Sequence, residues 1–314
     1  MENLAVCLMG PTATGKTEVA VELAERLPCD IISVDSALVY RYMDIGTAKP
    51  DADTLRRAPH QLVDILEPED AYSAGDFVRD AQDAIRTSFS AGRIPLLVGG
   101  TMMYFRALTQ GIAELPSGDA EVRKQIDRQA AELGWPAMHE RLRAIDPATA
   151  ARLKSTDSQR IQRALEVYEI SGRPLSDWHA ASKQANSETD IGFAKIALDV
   201  ADRAVLHQRI EKRLALMFKA GFVDEVASLR EREGLDRDMP SMRAVGYRQV
   251  WSHLAGELTL DECRYRALVA TRQLAKRQFT WLRSELDLFV VDALEASKAA
   301  SILGFLEAEH PILG

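Results

Sequence analysis

Gly10-Pro11-Thr12-Ala13-Thr14-Gly15-Lys16-Thr17 fits the pattern G-x-x-x-x-G-K-[ST] at every fixed position. These residue types at this spacing bind a phosphate chain. Successive backbone N–H groups surround the anion, Lys16 adds a point charge, and the Thr17 hydroxyl can reach Mg²⁺. The motif fixes a phosphate chain and says little about the reaction. A carboxylate, Asp35, ends the next apolar run, Ile31-Ile32-Ser33-Val34. Beside a phosphate site it can serve as metal ligand, general base or helix cap. Nucleotide hydrolysis or phosphoryl transfer calls for a second acid at the end of another buried strand. The best remaining buried run, Ile94-Pro95-Leu96-Leu97-Val98, ends instead in Gly99-Gly100-Thr101.

These groups need strands to carry them to one edge and helices to back them. Residues 4–9 form a short apolar run into the loop, and Val19, Leu23 and Leu27 then recur at helical spacing until Pro28. Residues 30–35 read as a second strand and 62–66 as a further one. Ser73 with Asp76 resembles a capping box before a helix carrying Phe77, Ala81, Ala84 and Ile85. Residues 94–98 are a buried strand, and a helix starts near Thr101. From 119 to about 179 only helical patterns occur, at 120–133, 137–145, 148–153 and 158–170. The polar text 182–190 reads as a linker. Residues 193–200 and 288–291 read as strands again, with long helices between them. The fold class is α/β: a P-loop NTPase-like parallel sheet core, residues 1–116 and 190–314, interrupted by an all-helical insertion at 117–189.

The chain has 314 residues and a net charge of −8. That balance argues against nonspecific coating of nucleic acid but permits local basic patches. Cys7, Cys29 and Cys263 are odd in number and far apart, with no C-x-x-C pair, so they read as small buried hydrophobes. No apolar run approaches the ~20 residues of a membrane helix. The N-terminus lacks the basic segment of a signal peptide, so a cytoplasmic location is expected. Between residues 241 and 283 lie Arg243, Arg248, Arg264, Arg266, Arg272, Lys276, Arg277 and Arg283, against Glu257, Asp261 and Glu262. Tyr247, Trp251, Tyr265, Phe279 and Trp281 are interleaved. This text suits RNA, whose phosphates take the cations and whose bases stack on rings. An amphipathic helix with a basic outer face is the other reading. Arg209 and Arg213 lie one helical turn apart and could clamp a diphosphate or simply form a solvated basic face.

The segments GPTATGKT, ISVDSALVYRYMDIGTAKP, LLVGGTMMYFRAL, MRAVGYRQVW and TRQLAKRQFTWLR together resemble the tRNA dimethylallyltransferase family. They occur in that family's order and span nearly the whole chain. The zinc finger of its eukaryotic members is absent, as the cysteine count shows. The resemblance implies an enzyme that moves a dimethylallyl group from dimethylallyl diphosphate to N6 of adenosine 37 in tRNA, with Mg²⁺. Residues 10–17 would then hold the donor's diphosphate rather than ATP, and the missing second acid becomes understandable. Asp35 would be the base, with Thr101 and an arginine, Arg209 as the closer match, assisting; Arg213 would join the diphosphate site.

The resemblance further implies tRNA contacts at Asp35, Ser36, Ala37, Leu38 and Thr101. It adds Arg123, Gln159, Arg160, Ile161, Gln162 and Arg163 in the insertion, which would clamp the anticodon stem opposite the core. It also adds Met242, Arg243, Ala244, Val245, Gly246 and Tyr247, with Arg272, Lys276, Arg277 and Arg283 beyond. Thr101 reads locally as a helix N-cap, a role compatible with a site role. A monomer without membrane attachment is expected. The rival readings are a P-loop small-molecule kinase and a noncatalytic NTP-dependent RNA-binding module.

Overall fold

The computed structural model describes residues 3–113, 115–185 and 191–310. The chain divides into two compact units, Met1–Thr109 with Asp190–Gly314, and Gln110–Thr189. In the first unit β1 (Asn3–Met9), β2 (Cys29–Val34), β3 (His60–Gln61), β4 (Ile94–Gly99), β5 (Ile191–Asp199) and β6 (Leu288–Asp292) form one parallel sheet. The strand order is β3-β2-β4-β1-β5-β6. Every pairing in it is parallel, for example Leu8 with Val98 of β4 and with Ile196 of β5. A parallel sheet needs helices on both faces, and the strands read accordingly as nearly continuous apolar text. Side chains alternate across β1. Leu4, Val6 and Leu8 join one core with Val19 and Leu23 of α1 (Lys16–Ala24). Ala5, Cys7 and Met9 join a second core with Phe77 and Ile85.

Along the first unit α1 is followed by α2 (Ala52–Arg57), α3 (Ala74–Ser90) and α4 (Met102–Gln110). The Ser73 hydroxyl accepts the Asp76 N–H at 3.1 Å and the Asp76 carboxylate accepts the Ser73 N–H at 3.0 Å, which closes the expected capping box of α3. The second unit is α5 (Ala120–Leu133), α6 (Trp135–Ile145), α7 (Pro147–Ala150), α8 (Ser158–Ser171) and α9 (Leu175–Ala185), around a core of Ile126, Met138, Leu142, Ile161 and Leu165. The chain then adds α10 (Arg203–Lys219), α11 (Phe222–Arg230), α12 (Tyr247–Leu254), α13 (Leu260–Leu282) and α14 (Lys298–Glu309). Met43, Met217, Phe222, Tyr247 and Cys263 form a third core of the first unit.

Two expectations need correction. Residues 62–66 are not a strand. Leu62 and Asp64 have φ of 61° and 56°, which breaks the ladder after Gln61. The segment turns back and donates from Asp64 N to Leu38 O at 3.1 Å and from Ile65 N to Val39 O at 2.9 Å, which holds the stretch after Asp35 in place. The polar text read as a linker begins inside α9, which runs to Ala185; residues 186–190 lie outside the described residues. The three thiols are buried and unpaired by disulfide, and burial pushes Cys29 and Cys263 up to about 11. Among the described residues no helix is long and apolar enough to cross a membrane.

Candidate active site

β1 delivers the chain to Gly10 at the carboxyl edge of the sheet, and the loop returns into α1. Gly15 makes that turn with φ 88°, a conformation that L side chains resist. The loop is internally braced: Thr14, fully buried, donates from Oγ1 to Pro11 O at 2.9 Å. Lys16 Nζ donates to Gly10 O at 2.9 Å and to Pro11 O at 2.8 Å. Burial lowers the Lys16 ammonium to about 8; the Asp35 carboxylate works against that shift and Arg213 adds to it. A cation whose charge is destabilised by its surroundings gains the more from an anion brought beside it.

β2 carries Asp35 to the same edge. Its Oδ1 accepts the N–H of Ala37 at 2.9 Å and of Leu38 at 3.4 Å, so the carboxylate caps the turn that follows the strand. Oδ2 takes no part in those bonds. β4 ends beside it, and the Thr101 hydroxyl accepts the Ser36 N–H at 3.1 Å. Thr101 thus binds the β2 turn with its side chain, while its carbonyl accepts the first helical bonds of α4, from Tyr104 N at 2.9 Å. The side-chain N-cap expected there is replaced by a cross-strand tie.

α10 supplies the cations. Arg213 donates through Nη2 to the Thr12 hydroxyl, and burial lowers its guanidinium below the ordinary arginine value, partly offset by Asp35. Arg209, one turn earlier, reaches the opposite end of the loop, where its Nη2 would lie 3.5 Å from a Cβ added at Gly15. Both arginines therefore address the phosphate loop, with Arg213 nearer Asp35. Lys16, Thr17, Ser33, Asp35, Arg209 and Arg213 all line one cleft of about 490 Å³. Thr12, Asp35 and Arg213 also line an adjoining recess of about 110 Å³, walled by Leu214, Met217, Phe222 and Tyr247. Asp35 sits where the cationic cleft beside residues 10–17 meets a small recess of mixed polar and apolar lining.

Two further side chains shape this site, and neither carries a local sequence signal. Gln278 of α13 accepts the Thr12 N–H at 2.9 Å and donates to Gly100 O at 2.8 Å. Glu225 of α11 accepts the N–H groups of Asp44 (2.9 Å), Ile45 (2.7 Å) and Gly46 (3.1 Å) and the Tyr247 hydroxyl (2.6 Å). It pins the segment that carries Gly46 and Thr47 along the recess. Burial, then the Glu225 charge, push the Tyr247 phenol far above its ordinary value, so it stays a donor. Glu225→Ala would strand four donors at once. The expected loss is about 2–4 kcal/mol of unfolding free energy, given the cost of unsatisfied groups facing a removed carboxylate. Denaturant unfolding checks this; a loss below about 1 kcal/mol, within the net worth of one ordinary hydrogen bond, contradicts the clamp.

The residues expected to meet RNA fall into several environments. Ser36 is exposed, whereas Ala37 and Leu38 are half-buried. Met242 and Tyr247 are 0% exposed, so their side chains pack inward and are not free to stack on a base. Between them Arg243 is exposed, Ala244 and Val245 are half-buried and Gly246 is buried. Arg248, Lys276, Arg277 and Arg283 are exposed, while Arg272 is half-buried and donates to Glu211 at 3.2 Å. Among the aromatics Tyr265 is 68% exposed, but Phe279 is buried beneath the Arg203 guanidinium. In the second unit Gln159 and Arg160 are exposed, Gln162 binds Asp127 at 2.6 Å, and Ile161 belongs to the core. Arg123 and Arg163 flank the fully buried Glu166 at 2.8 and 2.6 Å, which gives two guanidiniums on one carboxylate and a net positive cluster.

A parallel sheet, a G-x-x-x-x-G-K-T loop after its central β1, a carboxylate after β2 and no acid after β4 define a P-loop NTPase-like protein. The sequence profile of the IPP transferase family matches residues 38–285, and that of isopentenyl transferases matches residues 4–64. The chain is 55% identical over 309 residues to a tRNA dimethylallyltransferase of Thiobacillus denitrificans, covering 97% of both chains. It is 54% identical over 302 residues to a tRNA dimethylallyltransferase of Burkholderia ambifaria, covering 96% of this chain and 93% of that one. A crystal structure of the tRNA isopentenylpyrophosphate transferase of Bacillus halodurans superposes with a TM-score of 0.70 at 34% identity, covering 99% of each chain. The chain belongs to the IPP transferase family of tRNA dimethylallyltransferases.

Proposed function

We propose that the protein transfers a dimethylallyl group from dimethylallyl diphosphate to N6 of adenosine 37 in tRNA and releases diphosphate. One observation carries the reading: Asp35 lines both the cationic cleft beside residues 10–17 and the small recess walled by Leu214, Met217, Phe222 and Tyr247. The adenine N6 lone pair is delocalised into the ring, so the amine is a poor nucleophile. Asp35 accepts a hydrogen bond from it, orients it and takes its proton as the N6–C1 bond forms. The C1–O bond breaks, and its electron pair leaves on the diphosphate. Loop N–H groups, Lys16, Arg213 and Arg209 stabilise that charge as it develops. The recess receives the allyl carbons, and Thr101 holds the Ser36 turn against which the base docks. The adenine reaches this site by leaving the anticodon-loop stack, at a cost of a few kcal/mol. Exposed cations of both units bind the tRNA backbone. The reading is of a monomer acting in the cytoplasm.

The donor set fits Mg²⁺. Thr17 is exposed in the cleft, and Ser33 Oγ, also in its lining, is buried without a hydrogen-bond partner. These are hard oxygen donors, with Asp35 beside them. Among the described residues no group of three or more His, Cys, Asp or Glu could hold a metal ion. An ion shared with substrate phosphates, held by one or two protein oxygens, matches that composition. Thr17 and Ser33 would hold Mg²⁺ or its water there, and the ion would supply positive charge against the diphosphate. Ser33→Ala removes a buried hydroxyl that lacks a partner, so folding stability should stay level or rise. Mn²⁺ affinity in the presence of diphosphate, read by electron paramagnetic resonance, should fall about tenfold, the scale of outer-shell losses. Unchanged Mn²⁺ affinity removes Ser33 from the set.

Mass measurement of an unmodified tRNA after incubation with dimethylallyl diphosphate or with ATP tests the whole reading. A gain of one dimethylallyl group, seen with the diphosphate donor alone, is the expected result. ATP turnover driven by a small acceptor overturns it in favour of a kinase, and tRNA bound but left without a mass gain overturns it in favour of a noncatalytic RNA-binding module.

A further inference from the structure

Gln278 is 8% exposed and joins two elements that no other described side-chain bond connects so directly. Its carbonyl accepts from the phosphate loop at Thr12 N, 2.9 Å, and its amide nitrogen donates to the β4 turn at Gly100 O, 2.8 Å. The two partners fix the amide's orientation, because the flipped form would face N–H with NH₂ and C=O with C=O. Thr101, next in the chain, is bonded through its hydroxyl to Ser36, and Ser36 follows Asp35. One amide thus closes a chain of contacts from the diphosphate loop to the base. Gly100 shows what the arrangement displaces. A Cβ there would lie 2.5 Å from Gln278 Nε2, so any side chain would drive the amide out. The end of β4 is where a P-loop protein that handles ATP would place its metal-binding acid.

We infer that Gln278 is a positioning residue that sets the spacing between the diphosphate loop and the Asp35–Thr101 side of the site. Its neutral amide fills the room a strand-end carboxylate would need. The inference rests on the proposed function, because it assumes that the loop holds the leaving group and Asp35 the acceptor. Spacing of this kind governs the chemical step more than binding, and a misplacement near 1 Å can cost about 10²-fold in rate.

The test uses the full chain, unmodified tRNA and dimethylallyl diphosphate in single-turnover reactions with both substrates saturating. Gln278→Glu distinguishes positioning from mere folding. The protonated acid keeps both bonds: its carbonyl accepts from Thr12 N–H and its O–H donates to Gly100 O. The ionised form sets a negative oxygen against that carbonyl and beside the diphosphate. The expected result is a rate that approaches wild type at low pH. It should fall about 10²-fold relative to wild type as pH rises, with the donor affinity changing less than the rate. Gln278→Met, of similar volume without hydrogen bonds, should be slow at every pH. A Gln278→Glu profile parallel to wild type overturns the inference. So does loss of rate and thermal midpoint together with no recovery at low pH. If Gln278→Met does not fold, the same Gln278→Glu protein measured at two pH values still decides. A wild-type chain that leaves tRNA unmodified would instead refute the transferase reading.

Discussion

Asp35→Asn should lower the single-turnover rate by about 10²–10⁴-fold, the usual worth of a positioned general base, while the protein folds normally. Asparagine is the informative replacement because Asp35 has two tasks. Its Oδ1 accepts the N–H groups of Ala37 and Leu38, and an asparagine oxygen can take both bonds over. Alanine would also remove the turn cap, at about 1 kcal/mol, and so mix structural loss with chemical loss. Removing the carboxylate's charge also relieves its repulsion of the diphosphate, so donor affinity should be unchanged or tighter. Near-normal turnover by Asp35→Asn would leave Asp35 a structural cap and nothing more.

Lys16→Ala should cost about 10²–10³-fold in rate, as expected for one preorganised donor lost from a developing anion. It should weaken donor binding as well. A pH signature accompanies it. Burial holds Lys16 near 8 in the free protein, so it is charged below that pH and loses its proton above it. A bound diphosphate favours the charged form and raises its pKa. Donor affinity should therefore be level with respect to Lys16 below pH 8 and fall as pH rises through 8, with proton uptake on binding there. Lys16→Ala should abolish this dependence, leaving whatever the donor itself contributes. Calorimetry in two buffers of different ionisation heat reads the proton uptake. A wild-type affinity indifferent to pH across this range contradicts the cradle's reliance on Lys16.

The sequence disclosed the parts of this site that are local and left out those that are not. The phosphate loop is contiguous, and its strand and helix have clear apolar periods, so position and role could be read together. Asp35 was legible because it ends a buried run, where side chains of a parallel sheet reach the ligand edge. The stretch 62–66 misled because its apolar residues looked like a strand, whereas Leu62 and Asp64 take the left-handed conformation and the tract folds back on residues 38–39. Gln278 lies 266 residues from Thr12, and Glu225 lies 180 from Ile45. A neutral amide in a basic helix and an acid in an ordinary one carry no pattern until the fold brings their partners to them. The resemblance implies a tRNA contact at Tyr247, but only the fold shows that its ring stands edge-on to Phe222 at 5.0 Å, inside the third core.

The most direct test is a crystal structure of the protein with an unreactive thio-analogue of dimethylallyl diphosphate and an anticodon stem-loop. The account predicts the diphosphate within hydrogen-bond distance of the loop N–H groups and Lys16 Nζ. It places the allyl carbons in the recess beside Phe222, and N6 of the flipped adenine about 2.6–3.2 Å from an Asp35 oxygen. An analogue bound away from residues 10–17, or an adenine whose N6 faces a group other than Asp35, would contradict it.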